Sequence, residues 1–175
     1  MTPRILVAYA TKRGSTREVA EAIAVELERD GVHAVVQSAR EDVDLRTFDG
    51  VVLGGALYTG RWHRDARRFL RRHRRILTTL PVAVYGMGPS TTDEHAMGAS
   101  LDQLERALAG TPEVSPVAVA IFGGVIDPAR LRFPFNRMPP SDARDWDAIA
   151  AWADEVAGHV SDLRAGSPAS RSLST

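Results

Sequence analysis

The sequence predicts a doubly wound α/β fold, in which a five-stranded parallel sheet carries helices on both faces. Five short apolar runs alternate with helical segments along the 175 residues, and the loops after the first, third and fourth runs are rich in glycine and hydroxyl side chains. Alternating strands and helices favour parallel strands joined by right-handed crossovers. Ligands of such sheets bind beyond the carboxyl ends of the strands, so we expect these three loops to meet at one site.

Composition points to one domain. A chain of 175 residues that is 44% hydrophobic and 25% charged is long enough for one well-buried domain and short for two. It has no cysteine, which excludes disulfides and thiolate nucleophiles and fits a cytoplasmic protein. No segment has the length of an apolar membrane span, and residues 1–15 lack the long apolar core and the small-residue cleavage site of a signal peptide. We expect a single domain over residues 1–163 and a disordered tail over residues 164–175, where serine and alanine are frequent.

The first apolar run, residues 5–9, predicts a strand buried on both faces of the sheet. Over residues 15–29 apolar side chains recur at helical spacing and charged ones occupy the other face, which predicts a surface helix. We expect Ser15 and Thr16 to cap that helix. Hydroxyls, backbone N–H groups and the positive end of the helix dipole then meet in the turn that begins at Thr11, so this turn predicts an anion site for a phosphate group.

The turn lacks two common nucleotide-binding patterns. Gly14 is not followed by the Lys-Ser/Thr of a Walker motif, and the turn has no Gly-x-Gly-x-x-Gly. A mononucleotide is therefore the better prediction. The alternative is a capped helix that binds no ligand.

The third apolar run, residues 51–53, follows a short second strand at residues 32–36 and leads into a loop with three glycines and two aromatic residues. The rings of Tyr58 and Trp62 suit a flat ligand, because stacking on a planar heterocycle adds roughly 1 kcal/mol to the burial of area. The alternative is that Trp62 folds back on the protein's own helix. His63, at a helix start, is more often a cap than a proton relay.

The next helix concentrates positive charge in a chain whose formal net charge is zero. Eight arginines lie between Arg61 and Arg75, whereas Lys12 is the only lysine. Such a segment could face an anionic membrane surface, an acidic partner or nucleic acid. The alternative is an ordinary solvated helix face.

The fourth run, residues 82–85, ends in a second loop of glycine and hydroxyl residues at residues 86–93. His95, two residues after this loop, is a weak candidate for substrate contact. A fifth strand is predicted at residues 117–122, and a last helix over residues 145–160 is expected to bury both of its tryptophans. No group of His, Asp and Glu has metal-ligand spacing, and no Gly-x-Ser-x-Gly marks a nucleophilic serine. Chemistry would therefore have to come from a cofactor, with no catalytic side chain and no metal.

The residues of the first turn resemble the phosphate loop of the flavodoxin-like superfamily, although Arg13 stands where electron-transfer flavodoxins commonly have a threonine. The resemblance implies the strand order 2-1-3-4-5 and FMN as cofactor, with the flavin ring between the second and third loops. The residues that it implies for FMN binding are Thr11, Lys12, Arg13, Gly14, Ser15, Thr16, Ala56, Leu57, Tyr58, Thr59, Gly60, Trp62, Gly86, Met87, Gly88 and Pro89.

Three segments resemble more specifically the menaquinone-dependent protoporphyrinogen oxidase branch: residues 11–19, residues 60–63 with Phe69 and His73, and residues 145–146 with residues 152–157. That resemblance implies an oxidoreductase whose flavin takes electrons from protoporphyrinogen IX and passes them to a quinone. That branch carries a long basic and hydrophobic insertion before the last helix, and the corresponding segment here, residues 125–144, is shorter.

Two other functions stay open. The chain could be a non-enzymatic FMN electron carrier that serves a partner reductase, or an interaction domain that does not take up FMN. For partners we expect a quinone or other small molecule, with a porphyrin as the implied substrate. A membrane surface or an acidic protein would contact the arginines of residues 61–75, at the inner face of the membrane. We expect no nucleic acid, and a homodimer is left open.

Overall fold

The computed structural model describes residues 1–166, apart from the side chain of Phe135. Its strands are β1 (Arg4–Ala10), β2 (His33–Ser38), β3 (Gly50–Tyr58), β4 (Arg61–Trp62), β5 (Val82–Met87), β6 (Ala118–Phe122), β7 (Val125–Ile126) and β8 (Ser141–Asp142). Its α-helices are α1 (Ser15–Arg29), α2 (Arg64–Leu77), α3 (Glu94–Leu108) and α4 (Trp146–Gly166). Five of the strands form a parallel sheet in the order β2-β1-β3-β5-β6, and β4 turns back antiparallel on the end of β3. The predicted fold and strand order are confirmed, since β5 and β6 are the predicted fourth and fifth strands.

Each face of the sheet carries its own apolar core. Alternate residues of β1 point to opposite faces, so Ile5 and Val7 pack with α1 and α4 while Leu6 and Ala8 pack with α2 and Leu104 of α3. All four β1 side chains are at most 1% exposed. The double burial explains why this strand is an unbroken apolar run.

The register brings the carboxyl ends of three strands into line. Ala10 of β1 lies opposite Gly55 of β3, and Gly55 lies opposite Gly86 of β5. The loops that follow β1 and β5, together with the end of β3, therefore start from one edge of the sheet. No helix within residues 1–166 combines the length and the apolar character needed to cross a bilayer.

Helix α4 differs from its prediction at both ends. Trp146 was predicted to be buried, but it is 45% exposed, with the Arg144 guanidinium 4.7 Å from its ring centroid. The reason is its place at the first position of the helix, whereas Trp152, almost two turns on, is buried against Tyr85. The helix continues through residues 164–166, and residues 167–175 of the predicted tail lie outside the described residues.

The proline-rich segment between β6 and α4 forms a small structure of its own. Strands β7 and β8 pair antiparallel, and between them runs a chain segment, residues 127–140, that we call the strap. Arg144 ties the base of the strap to α1 through Glu18 and also pairs with Asp142. The hydrogen bond from Arg144 holds the pKa of the Asp142 carboxyl below its usual range, so both partners stay charged near neutral pH.

Candidate functional site

The loop between β1 and α1 is held by a hydroxyl from its own first residue. Thr11 Oγ1 accepts hydrogen bonds from the backbone N–H groups of Arg13 at 3.2 Å and Gly14 at 3.0 Å. Gly14 is the N-cap of α1 with φ +92°, a left-handed conformation that only glycine adopts without strain. Ser15 and Thr16 were predicted to cap the helix. That prediction is wrong, because both already lie within its first turn and no side chain caps it.

Thr16 supplies the strongest sign of a ligand. It is fully buried, and its Oγ1 has no hydrogen-bond partner among the described residues. A buried hydroxyl in that state costs roughly 1–3 kcal/mol, so it calls for an explanation. The first N–H groups of an uncapped helix are likewise left without partners within the helix. An anion at this helix end would satisfy both, which fits a phosphate group.

Tyr85 of β5 anchors the start of α1 to the sheet. Its hydroxyl donates a 3.1 Å hydrogen bond to the carbonyl oxygen of Thr16. Tyr85 is fully buried, and burial raises the pKa of its phenol, so the hydroxyl keeps its proton and remains a donor. The backbone of Thr16 is thus held in place by a residue of the core.

A cleft opens beside this loop, and the segments that follow β1 and β5 contribute to it together with the end of β3. It is lined by Arg13, Ser15, Ala56, Leu57, Tyr58, Met87, Gly88, Ser90, Gly124, Val125 and Ile126. The three segments that were expected to meet therefore do so, although the second one contributes through the end of β3 and not through a loop. The last three residues form a fourth wall that the sequence reasoning missed, although the two glycines directly after β6 are the same kind of signal that marked the other loops.

Several predicted site residues belong to strands or to the hairpin rather than to open loops. Ala56, near the end of β3, and Met87, the last residue of β5, are buried at 4% and 3% exposure, and Gly86 is buried within β5. Thr59 and Gly60, with φ 47° and 75°, make the exposed two-residue turn between β3 and β4. Such a turn with both φ values positive matches the twist of a hairpin.

Four more of the predicted residues lie in or beside the cleft. Lys12 is exposed, and its Nζ lies 5.5 Å from the ring centroid of Tyr58. Leu57 and Gly88 are half-buried members of the lining. Pro89 is not part of the lining within residues 1–166, but its carbonyl accepts a 2.7 Å hydrogen bond from Gly124 N–H. It therefore supports the fourth wall.

Trp62 is a core residue, which corrects the expectation of a ring that stacks on a ligand. It is 1% exposed, and its Nε1 donates a 3.0 Å hydrogen bond to the carbonyl of Gly55. The reason is the hairpin, because β4 places Trp62 opposite Leu57 and turns the indole onto the sheet face that α2 covers. Tyr58 stays half-buried in the cleft, with the guanidinium of Arg13 5.4 Å from its ring centroid.

His63 caps α2 with its ring. Nδ1 accepts a 3.1 Å hydrogen bond from Asp65 N–H, so the proton of the neutral ring is on Nε2. Burial lowers the pKa of His63, and Nε2 has no partner among the described residues. His95 lies exposed at the start of α3.

A basic depression adjoins the cleft, and Tyr58 lines both. Its volume is about 300 Å³, and it is lined by Lys12, Arg40, Tyr58, Arg61, Trp62, His63, Arg64 and Arg67. Five of these side chains are cationic and none is a carboxylate, while the neighbouring Asp65 pairs with Arg40 at 2.6 Å. Clustered like charges in a concave surface concentrate the field and attract anions. Most other arginines of residues 61–75 are exposed along α2.

A family model described as flavodoxin domain matches residues 6–138. The chain is 24% identical to the protoporphyrinogen IX dehydrogenase [quinone] of Escherichia coli strain K12, over 91% of this chain and 97% of that protein. Among solved structures, oxidised flavodoxin 1 from Bacillus cereus matches with a TM-score of 0.60 at 19% identity, covering 89% of this chain and 98% of the other. Flavodoxin 2 of the same organism matches with a TM-score of 0.58 at 24% identity, over 89% and 99% of the two chains.

Proposed function

Since the chain belongs to the flavodoxin domain family, we propose that it is an FMN-dependent oxidoreductase. The observation that carries this proposal is the unpartnered, fully buried hydroxyl of Thr16 at the uncapped start of α1. FMN has a terminal phosphate that suits this donor set and a flat ring that suits the adjoining cleft. Thr11 contributes by accepting the hydrogen bond from the Gly14 N–H, which fixes the conformation of the loop.

In this proposal the first turn of α1 holds the phosphate, and the ends of β3, β5 and β6 flank the ring. Bound FMN supplies the capacity to accept and release electrons. The protein needs no nucleophile, and its own residues bind, orient and shield. Gly88 and Gly124 line the cleft, and packing leaves no room for a side chain at either position, because a Cβ would lie 2.8 Å from Ile121 Cγ2 and 2.4 Å from the Gly88 carbonyl oxygen, respectively.

We propose protoporphyrinogen IX as the electron donor and a quinone as the acceptor. Support comes from the protoporphyrinogen IX dehydrogenase of Escherichia coli, which this chain matches over nearly the full length of both proteins. The basic depression next to the cleft also supports it, because the propionate groups of a porphyrinogen are carboxylates. Arg61, Arg64 and Arg67 provide guanidinium groups that can bind carboxylates in a bidentate manner.

A quinone acceptor dissolved in a membrane requires the protein to approach the bilayer. We propose that the protein works in the cytoplasm and that the arginines of α2 contact the inner face of the membrane. Cosedimentation should then occur with phosphatidylglycerol vesicles and not with phosphatidylcholine vesicles. Arg68→Glu with Arg71→Glu should abolish it, whereas Arg17→Glu with Arg29→Glu on α1 makes the same net charge change and should not.

The cofactor is tested first by titration of the purified protein with FMN, followed by the absorbance and fluorescence of the flavin. Gly14→Val should abolish binding, because φ +92° is strained for valine and its Cβ would lie 3.2 Å from Arg130 Nη1. Gly31→Val is the matched control. It has a comparable φ of +76° with open space around it, at the other end of α1.

The reaction is tested with the FMN-loaded protein. Oxidation of protoporphyrinogen IX with a quinone acceptor is the expected result. Rapid one-electron exchange with a flavodoxin reductase and no turnover of protoporphyrinogen would favour the electron carrier instead. A protein that takes up no FMN would contradict both, and would leave an interaction domain.

A further inference from the structure

The strap crosses the loop between β1 and α1 and places a guanidinium on it. Arg130 Nη1 donates a 2.5 Å hydrogen bond to the carbonyl oxygen of Arg13, a residue 117 positions earlier in the chain. The same Nη1 lies 3.2 Å from the position that a Cβ on Gly14 would take. A cationic group of the strap thus sits beside the N-cap of α1.

The strap holds Arg130 in place by short-range contacts. Asp127 Oδ1 accepts a 3.0 Å hydrogen bond from Ala129 N–H and caps the 3-10 turn that contains Arg130. Asp127 Oδ2 lies 3.2 Å from Arg130 Nε. These contacts occupy Nε and Nη1, and no described residue bonds to Nη2. A guanidinium has five N–H donors and no acceptor, so donors remain that can bind an anion.

The other basic side chains of the loop are directed elsewhere. Lys12 Nζ and the Arg13 guanidinium lie 5.5 Å and 5.4 Å from the ring centroid of Tyr58. Both are therefore beside the aromatic side of the site. Arg130 is the basic side chain that hydrogen-bonds to the backbone of the loop within residues 1–166.

We propose that Arg130 is a ligand of the FMN phosphate. This inference rests on the proposed function and adds to it. Helix amides and hydroxyls alone can bind a phosphate without a cation, and Arg130 would supply a charge-assisted contact from a distant segment. Arg130 would then increase the preference for FMN over riboflavin beyond the preference that the amides and hydroxyls provide. The affinity of the protein for FMN would fall as the salt concentration rises.

The test is a fluorescence titration of wild-type and variant proteins with FMN and with riboflavin, at low and high salt. Arg130→Gln should weaken FMN binding roughly tenfold, because it removes one charge-assisted hydrogen bond from a side chain that is half exposed. Riboflavin affinity should not change, and the salt dependence for FMN should become shallower. Arg132→Gln is the matched control, since it removes an exposed arginine from the same strap.

Three results would overturn the role of Arg130. These are an unchanged FMN affinity in Arg130→Gln, an equal loss for FMN and riboflavin, or an equal loss in Arg132→Gln. If Arg130→Gln does not fold, Arg130→Lys decides, because lysine keeps the charge but lacks the planar fork. A partial loss for FMN alone then supports the proposal, and no selective loss overturns it. Wild-type protein that binds neither flavin would refute the proposed function itself. Normal FMN binding by Arg130→Gln and Arg130→Lys would refute only the role of Arg130.

Discussion

Replacing Thr16 by valine should stabilise the flavin-free protein while it weakens FMN binding. The side chain is fully buried, and its Oγ1 has no hydrogen-bond partner among the described residues. Valine has the same shape and a similar helix propensity, so the change removes the unpaired hydroxyl and little else. A side chain that is retained for a ligand rather than for the fold should behave in this way.

The magnitude follows from the desolvation of the hydroxyl. An unsatisfied buried polar group costs roughly 1–3 kcal/mol, and in a domain of this size 1 kcal/mol shifts Tm by roughly 2–4 °C. The Tm of flavin-free Thr16→Val should therefore rise by roughly 2–12 °C. If the variant binds FMN about tenfold more weakly, a concentration of about 100 times the wild-type Kd should stabilise it by only about 1.4 kcal/mol, against about 2.7 kcal/mol for wild type.

The assay is thermal unfolding followed by circular dichroism, with and without FMN. Thr11→Val is the matched control, because Thr11 Oγ1 accepts two backbone hydrogen bonds. The same chemical change should therefore lower the Tm of the flavin-free protein there. A lower Tm in flavin-free Thr16→Val would mean that the Thr16 hydroxyl has a partner, and the reasoning would be refuted. An unchanged stabilisation by FMN would refute its contact with the phosphate.

Three further outcomes are expected. Gly54→Ala should destabilise the protein by about 3 kcal/mol in urea unfolding, since the new Cβ would lie 1.9 Å from Tyr85 Cζ. The control Gly98→Ala, in open space on α3, should stabilise the protein by about 0.5–1 kcal/mol. Equal effects of the two substitutions would contradict the packing argument. Trp62→Phe should cost about 1–3 kcal/mol by the same measurement and leave FMN affinity unchanged, because the indole is buried with its N–H bonded; a large affinity loss in a folded variant would place the ring at the ligand. Burial lowers the pKa of His63, so the unfolded chain binds more protons than the folded protein below pH about 6.5, and stability falls as pH drops through the folded pKa. His63→Asn, which keeps a capping oxygen, should show a shallower decline of Tm between pH 7 and pH 5, and identical slopes would exclude this contribution.

Much of the sheet could be predicted from the sequence because parallel strands leave a strong local signal. A strand buried on both faces must be apolar at successive positions, as β1 is between residues 5 and 9. Element ends were less predictable. Strand β3 continues to Tyr58 and includes three glycines or alanines that read as loop. The pairing with β1 and β5 makes them strand, and no local pattern contains that information.

The candidate site shows the same division. The turn from Thr11 to Thr16 could be identified as an anion site because its residues are contiguous and precede a helix. The role of each hydroxyl could not, since Thr11 rather than Thr16 bonds to the loop backbone. Burial of Trp62 depends on a hairpin whose register pairs it with Leu57. A tryptophan in a glycine-rich segment gives no local sign of which way it turns.

The sequence by itself determined the layered fold, the strand order through its resemblance to a known superfamily, and the anion-binding turn, because each depends on residues that are neighbours in the chain. Only the tertiary structure decided which atoms face the site. Tyr85 reaches the start of α1 across 69 positions, and Arg130 reaches the loop across 117. Contacts over such separations arise from the packing of whole elements, so they leave no periodic pattern in the sequence. The unsatisfied hydroxyl of Thr16 and the guanidinium beside Gly14 are therefore found only after the chain has folded.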